Sequence, residues 1–346
     1  MNVESYIEHL KSSPSFMKNV TSWRVLPARE AKYADFPAGL DARLVAALSR
    51  RGIERPYIHQ RLAMEAALAG EDCVVVTPTA SGKTLCYNVP VLNAILQNEA
   101  DRALYIFPTK ALSSDQAAEL YSLIEDMGAE VKAYTYDGDT PASSRTAIRQ
   151  AGHVVVTNPD MLHQGILPHH AKWVKLFENL RYVVIDEIHA YRGVFGSNLA
   201  NVIRRLKRIC AFYGSHPTFI CCSATIANPG ELAEAMIGRP VRLIDENGAP
   251  AGERHVVFYD PPVVNRQLGI RVCGGRGNRN SGLVFPAGLH RYKLRSKLCG
   301  ISRILGDTGT VAAYSRNGRK PAAGNTPVGK ALESFIGFRK SRNNGQ

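Results

Sequence analysis

The chain has 346 residues, long enough for two domains, and an ordinary 45% of them are hydrophobic. Its formal net charge of +13 sits at one end: residues 271–346 hold 15 Lys+Arg and 2 Asp+Glu, whereas residues 1–270 hold 28 of each. Bulk charge is thereby excluded as an argument for nucleic-acid binding by the body of the chain. A membrane-spanning helix is excluded as well, since no run of about 18 apolar residues occurs.

The first residues, MNVESYIEHLKSSPSF, carry acids early and no apolar stretch. A signal peptide is not expected there, and the default compartment is cytoplasmic. Residues 1–54 read as a helical extension, with GLDARLVAALSRRGI forming an amphipathic helix. From 72 to 245 short apolar runs alternate with helical stretches. The runs are DCVVVTP (72–78), RALYIFPT (102–109), VKAYTYDG (131–138), HVVVTNP (153–159), LRYVVIDE (180–187), PTFICCSAT (217–225) and PVRLI (240–244). Helices are expected over KTLCYNVPVLNAILQ, SDQAAELYSLIEDMG, SNLANVIRRLKRICAFY and NPGELAEAMIG. This alternation predicts an α/β fold with a parallel, doubly wound sheet, whose working residues lie on loops at the carboxyl ends of the strands. Beyond about residue 270 the pattern fades into an irregular tail holding 13 of the 29 glycines.

None of the seven cysteines forms a C-x-x-C pair, so neither structural zinc nor a disulfide framework is expected. Cys73, Cys86, Cys221 and Cys222 lie in apolar runs and read as buried free thiols.

TPTASGKT (77–84) directly follows the run VVV. A strand, a loop and a helix start in that order make a phosphate cradle, because backbone N–H groups converge on the anion. Candidate nucleotide contacts are Thr79, Ala80, Ser81, Gly82, Lys83 and Thr84. Gly82 lets the backbone approach closely, Lys83 brings charge to the β- and γ-phosphates, and Thr84 offers a hydroxyl to Mg²⁺. DEIH (186–189) follows YVVI; Asp186 suits a magnesium site and Glu187 can polarise the attacking water. Ser223 and Thr225, in SAT after FICC, are expected to hydrogen-bond to the DEIH loop. His189 is the candidate coupling residue.

The order HQ, TPTASGKT, PTKALSSDQ, TNPDMLH, DEIHAYRGVFGS, CSATIANP resembles a DExH-box superfamily 2 helicase. The longer text from TNPDMLH through NVIRRLKRI is similar to the bacterial mitomycin-repair-factor (YprA-like) DNA helicases, and the resemblance covers roughly residues 1–270. The first motif position is Thr77 rather than Gly, a departure that superfamily 2 helicases tolerate. The resemblance implies a P-loop RecA-like ATP-binding domain at 55–250, with a connector and basic tail at 251–346. It also implies ATP and Mg²⁺ as cofactors, ATP hydrolysis, and single-stranded or partly duplex DNA as partner. An RNA helicase or a non-catalytic nucleotide-binding module are the alternatives.

By the same resemblance Gln60 reads adenine and Tyr57 stacks on the base. Thr109, Lys110, Thr157 and Asn158 hold strand phosphates, Asp137 and Gly138 occupy a further loop near the strand, and Arg192 and Phe195 either face DNA or brace DEIH. A second RecA-like domain would carry an arginine-bearing motif, which is not found after residue 271; a shifted reading frame there is one explanation. The resulting expectation is a chain that binds ATP, hydrolyses it slowly and does not unwind.

Overall fold

The structure is a computed structural model that describes residues 3–260 and, as backbone, the short strands at 263–265, 270–271, 300–302 and 311–314. Strand β1 is Val20–Leu26, followed by β2 Cys73–Val76, β3 Arg102–Ile106, β4 Ala133–Thr135, β5 Val154–Thr157, β6 Leu180–Ile185, β7 Thr218–Ser223, β8 Arg242–Ile244 and β9 Arg254–Tyr259. Seven of them, β2 to β8, form one sheet in the order β4-β5-β3-β6-β7-β2-β8. Every pairing in it is parallel. Each of the seven apolar runs in the sequence supplies one strand.

These strands are buried on both faces, which is why they read as continuous apolar runs. Val75, Tyr105, Val156, Val184 and Cys222 point to one core, with helices Ala42–Arg50, Ile58–Leu68, Thr84–Gln97 and Lys110–Met127 over them. Val74, Leu104, Val155, Val183 and Cys221 alternate to the other face, covered by helices Gly193–Phe212 and Pro229–Ile237. Cys73, Cys86, Cys221 and Cys222 are buried free thiols. Cys273 and Cys299 lie outside the described residues.

At the amino end of β2 the buried Asp72 carboxylate is gripped by Arg239 and accepts the Phe219 N–H at 2.7 Å. Removing Arg239 would leave a buried carboxylate without its cation, a loss that solvent at the part-exposed guanidinium screens, so this end of the sheet serves stability.

The chain divides into two compact units: residues 31–249, and residues 1–30 together with 250–346. The boundary expected at residue 54 falls inside the larger unit. The Asp41 side chain caps helix Ala42–Arg50 by accepting from the Arg43 N–H, and the apolar positions Leu44, Ala47 and Leu48 join the core of the larger unit.

The reading of the first segment as helical or irregular needs correction. Helix Val3–Ser12 is present, but Val20–Leu26 is a strand, paired antiparallel with β9, with Trp23 opposite Val257. The Trp23 indole N–H donates to His255 Nδ1 at 3.0 Å. Its pairing partner lies more than 200 residues downstream, and no local pattern announces it. The irregular tail expected from 271 falls almost wholly outside the described residues. In the described backbone, 300–302 pairs antiparallel with 311–314, which runs parallel to β9.

Candidate functional site

The sheet order decides which loops meet. β6, β7 and β2 are neighbours, and their carboxyl-end loops carry DEIH, SAT and TPTASGKT. β4, β5 and β3 are neighbours too, and end in YDGDT, TNPDM and PTKAL.

In the first trio the loop after β2 turns through two left-handed residues, Ala80 at φ 63° and Gly82 at φ 76°. A side chain on Gly82 would also collide with Gln60, whose Nε2 would lie 2.5 Å from the added carbon. The Thr77 and Ser81 hydroxyls, both buried, share a 2.6 Å hydrogen bond across the loop. The Lys83 ammonium donates to the carbonyls of Thr77 (3.0 Å) and Pro78 (3.1 Å). Thr84 begins helix Thr84–Gln97 and its hydroxyl donates to Gln116 Oε1 at 2.9 Å. The Tyr87 hydroxyl lies between two acceptors, Gln116 Oε1 (2.9 Å) and Asp186 Oδ2 (3.3 Å), and its single proton serves one of them at a time. The two acidic and phosphate-facing motifs are thus joined by a relay of two side chains.

Asp186 is buried, and burial pushes its carboxyl up to about 6, against the lowering pull of the Glu187 N–H and the Lys83 charge. The Glu187 N–H donates to Asp186 Oδ1 at 2.7 Å, and Glu187 adopts the left-handed conformation at φ 52°. Its carboxylate lies 2.9 Å from His189 Nδ1. The same nitrogen lies 3.2 Å from the Ala224 N–H. One imidazole nitrogen cannot donate to Glu187 and accept from Ala224 at once, so the two contacts are alternatives set by which ring nitrogen carries the hydrogen.

The coupling between DEIH and SAT therefore runs through a backbone amide, which corrects the expected hydroxyl contacts. The buried Ser223 hydroxyl turns to the Ala224 carbonyl at 2.8 Å, and Thr225 is exposed.

Gln60 is buried, with one lone pair and one N–H of its amide engaged. Its Oε1 accepts the Tyr57 N–H at 2.8 Å, and its Nε2 donates to the Gly82 carbonyl at 2.9 Å. Tyr57 stacks on Tyr33 with ring centres 5.2 Å apart. His59, which the sequence reading passed over, is buried between the phosphate loop and residues 247–249. It accepts the Gly248 N–H at Nδ1, so its Nε2–H donates to the Ser81 carbonyl at 3.0 Å. Burial holds its pKa down at about 4, which keeps the ring neutral. Gly248 has no room for a side chain, which would meet the Lys32 carbonyl at 2.6 Å.

A DEAD/DEAH box helicase profile matches residues 57–232, half of the chain. The chain belongs to the DEAD/DEAH box helicase family. Among relatives of this helicase family, it is 61% identical over 254 residues to YprA of Bacillus subtilis, an uncharacterized ATP-dependent helicase. That match takes in 73% of this chain and 34% of YprA. It is 36% identical to the ATP-dependent helicase hrq1 of Schizosaccharomyces pombe, over 76% of this chain and 26% of that one. The crystal structure of the DUF1998 helicase MrfA bound to DNA and AMPPNP superposes with a TM-score of 0.75 at 58% identity, covering 79% of this chain and 37% of that one. The chain thus spans about a third of the length of the relatives it matches.

In the helicase's second trio of loops the candidate strand contacts divide. Thr109 and Lys110 are exposed at the start of helix Lys110–Met127, where Thr109 caps the helix and Lys110 pairs with the exposed Asp139. Asn158 is half-buried, and its Oδ1 accepts the Met161 N–H at 2.9 Å. Thr157 differs from expectation: it is buried, and its hydroxyl donates to the Tyr136 carbonyl at 2.7 Å. It ties β5 to the end of β4 and has no hydroxyl to spare for a phosphate. Asp137 shapes its own loop by accepting the Asp139 N–H, and Gly138 is exposed there. Arg192 and Phe195 are both exposed, and the Phe195 ring lies 5.2 Å from that of Tyr191. Tyr87 and Gln116 were not singled out from sequence; Gln116 stood inside the PTKALSSDQ phrase, and that was its only signal.

Proposed function

We propose that this chain supplies the ATP–Mg²⁺-binding half of an ATP-dependent DNA helicase. In this reading the loops after β6, β7 and β2 handle nucleotide, and those after β4, β5 and β3 hold a single-stranded or partly duplex DNA strand. The observation that carries it is the relay from Thr84 through Gln116 and Tyr87 to Asp186, which ties a hydroxyl of the phosphate loop to a buried carboxylate.

That donor set fits a magnesium triphosphate. Thr84 and Asp186 would hold the metal, and Thr79 to Thr84 would cradle the phosphates. Magnesium, when bound, would neutralise charge on the phosphate oxygens. Lys83 exchanges two neutral carbonyl acceptors for charged phosphate oxygens, which strengthens each of its hydrogen bonds. Gln60 spends one lone pair and one N–H on Tyr57 and Gly82. Its amide retains one of each, the complement of the adenine N6–H and N7. Glu187 accepts the proton of the attacking water, and His189 reports its state to the Ala224 backbone. DNA as the strand is supported by the 58% identity to MrfA, solved on DNA.

Steady-state ATPase with and without single-stranded DNA tests this. DNA stimulates turnover by the wild type, whereas Glu187→Gln retains ATP binding and loses turnover about 10²–10⁴-fold. Turnover that is indifferent to both DNA and the substitution would contradict the reading.

A further inference from the structure

Past the ends of β4 and β5 lies a cavity of about 290 Å³ walled chiefly by Tyr136, Arg145, Arg149, Gln164, His169 and Lys172. Three fixed cations and an imidazole face it, and no carboxylate lines it. Arg145, Arg149 and Lys172 form no ion pair among the described residues. Like charges repel, so a cluster of this kind needs something to hold it together.

Aromatic faces do that here. The Arg145 guanidinium lies 5.5 Å from the Tyr136 ring centre, and that of Arg149 lies 5.9 Å from the Trp173 ring centre. Tyr136 and Trp173 pack edge to face at 4.8 Å. Stacked in this way, the guanidiniums keep their edges for other partners. Arg145 commits Nε to the Thr140 carbonyl, and Arg149 commits Nη2 to the Tyr136 hydroxyl. Arg149 Nε is buried and donates to no group among the described residues. The wall itself departs from regular helix: Leu162–Ile166 is a π turn carrying Gln164, and Leu167–Lys172 is a 3-10 turn carrying His169 and Lys172. π turns concentrate at functional sites.

We propose that this cavity seats a phosphodiester of the bound nucleic-acid strand, as an anchor beyond the loops that begin at Thr109 and Asn158. Guanidinium forks bind phosphate oxygens in pairs. The volume is about ten times the ~30 Å³ share of one water, room for a phosphate with its sugar. The inference rests on the nucleic-acid reading above and adds a site to it.

The test is the salt dependence of binding between the full chain and a fluorescent oligothymidylate, read by anisotropy. Each lost single-strand phosphate contact lowers the slope of log K against log salt by about 0.7. Lys172→Gln, at an exposed position, and Arg149→Gln each lower the slope by about that much. Lys175→Gln removes the same charge from an exposed position outside the cavity and leaves the slope unchanged. Equal slopes in all four proteins overturn the proposal, as does an equal drop in Lys175→Gln. Inorganic phosphate that binds the wild type but not Lys172→Gln, together with equal slopes, assigns the cavity to a free anion instead. Failure of the wild type to bind the oligonucleotide at all defeats the nucleic-acid reading itself, an outcome distinct from equal slopes.

Discussion

Two trios of loops share one edge of the sheet, and they are built differently. The loops after β6, β7 and β2 are joined to one another by buried and part-buried hydrogen bonds through Tyr87, Gln116 and His189. The loops after β4, β5 and β3 are tied within themselves, Asp137 to Asp139, Asn158 to Met161 and Thr109 to Leu112, and to one another by the Thr157 hydroxyl on the Tyr136 carbonyl and an exposed ion pair, Lys110 with Asp139. Chemistry on a phosphate demands fixed relative positions, whereas holding a strand that must slide does not. The first trio therefore answers to single substitutions through geometry, and the second through charge.

The largest effect belongs to the nucleotide trio. Lys83→Ala removes the charge that serves the phosphates and lowers affinity for a fluorescent ATP analogue about 30–100-fold. A change of less than threefold breaks the contrast at its strong end. His59 comes next. Its folded pKa of about 4 lies below the ordinary value of 6.5, so its contribution to stability is complete above pH 6.5 and is lost as pH falls towards 4. The wild-type Tm drops by roughly 3–6 °C across that window, allowing for partial solvent screening, and His59→Gln, which keeps a donor but does not titrate, drops by less. Parallel pH profiles for the two proteins refute that role.

Two smaller effects sharpen the other trio. Thr157→Val lowers Tm by about 2–4 °C, the loss of one buried hydrogen bond, and leaves the salt slope of oligonucleotide binding unaltered. Lys110→Gln does the reverse: it reduces that slope by about 0.7 and affinity a few-fold, with stability unchanged, because its partner Asp139 is exposed. A slope change in Thr157→Val restores it to the strand contacts.

The seven strands were legible because a strand buried on both faces leaves a continuous β-branched run in the chain, as CVVV and VVVT do. β1 was illegible because its pairing partner among the described residues is β9, far along the chain. In the site, Lys83, Thr84, Asp186 and Glu187 announce themselves by short, strand-bound spacing. Tyr87 and Gln116 do not, since their role depends on helices Thr84–Gln97 and Lys110–Met127 lying against one another and on Asp186 being within reach. Thr157 was misread for a related reason. It ends β5, and the direction of its hydroxyl depends on β4 beside it, which the TNP motif does not encode. His59 is a buried cross-brace whose partners, Ser81 and Gly248, lie 22 and 189 residues away.

Calorimetric titration of the chain with ATP, in magnesium and in EDTA, for wild type and Asp186→Asn, tests the joined nucleotide site most directly. The account predicts that magnesium tightens ATP binding to the wild type and that this gain disappears in Asp186→Asn while metal-free binding persists. An undiminished magnesium gain in the variant, or no ATP binding by the wild type, contradicts it.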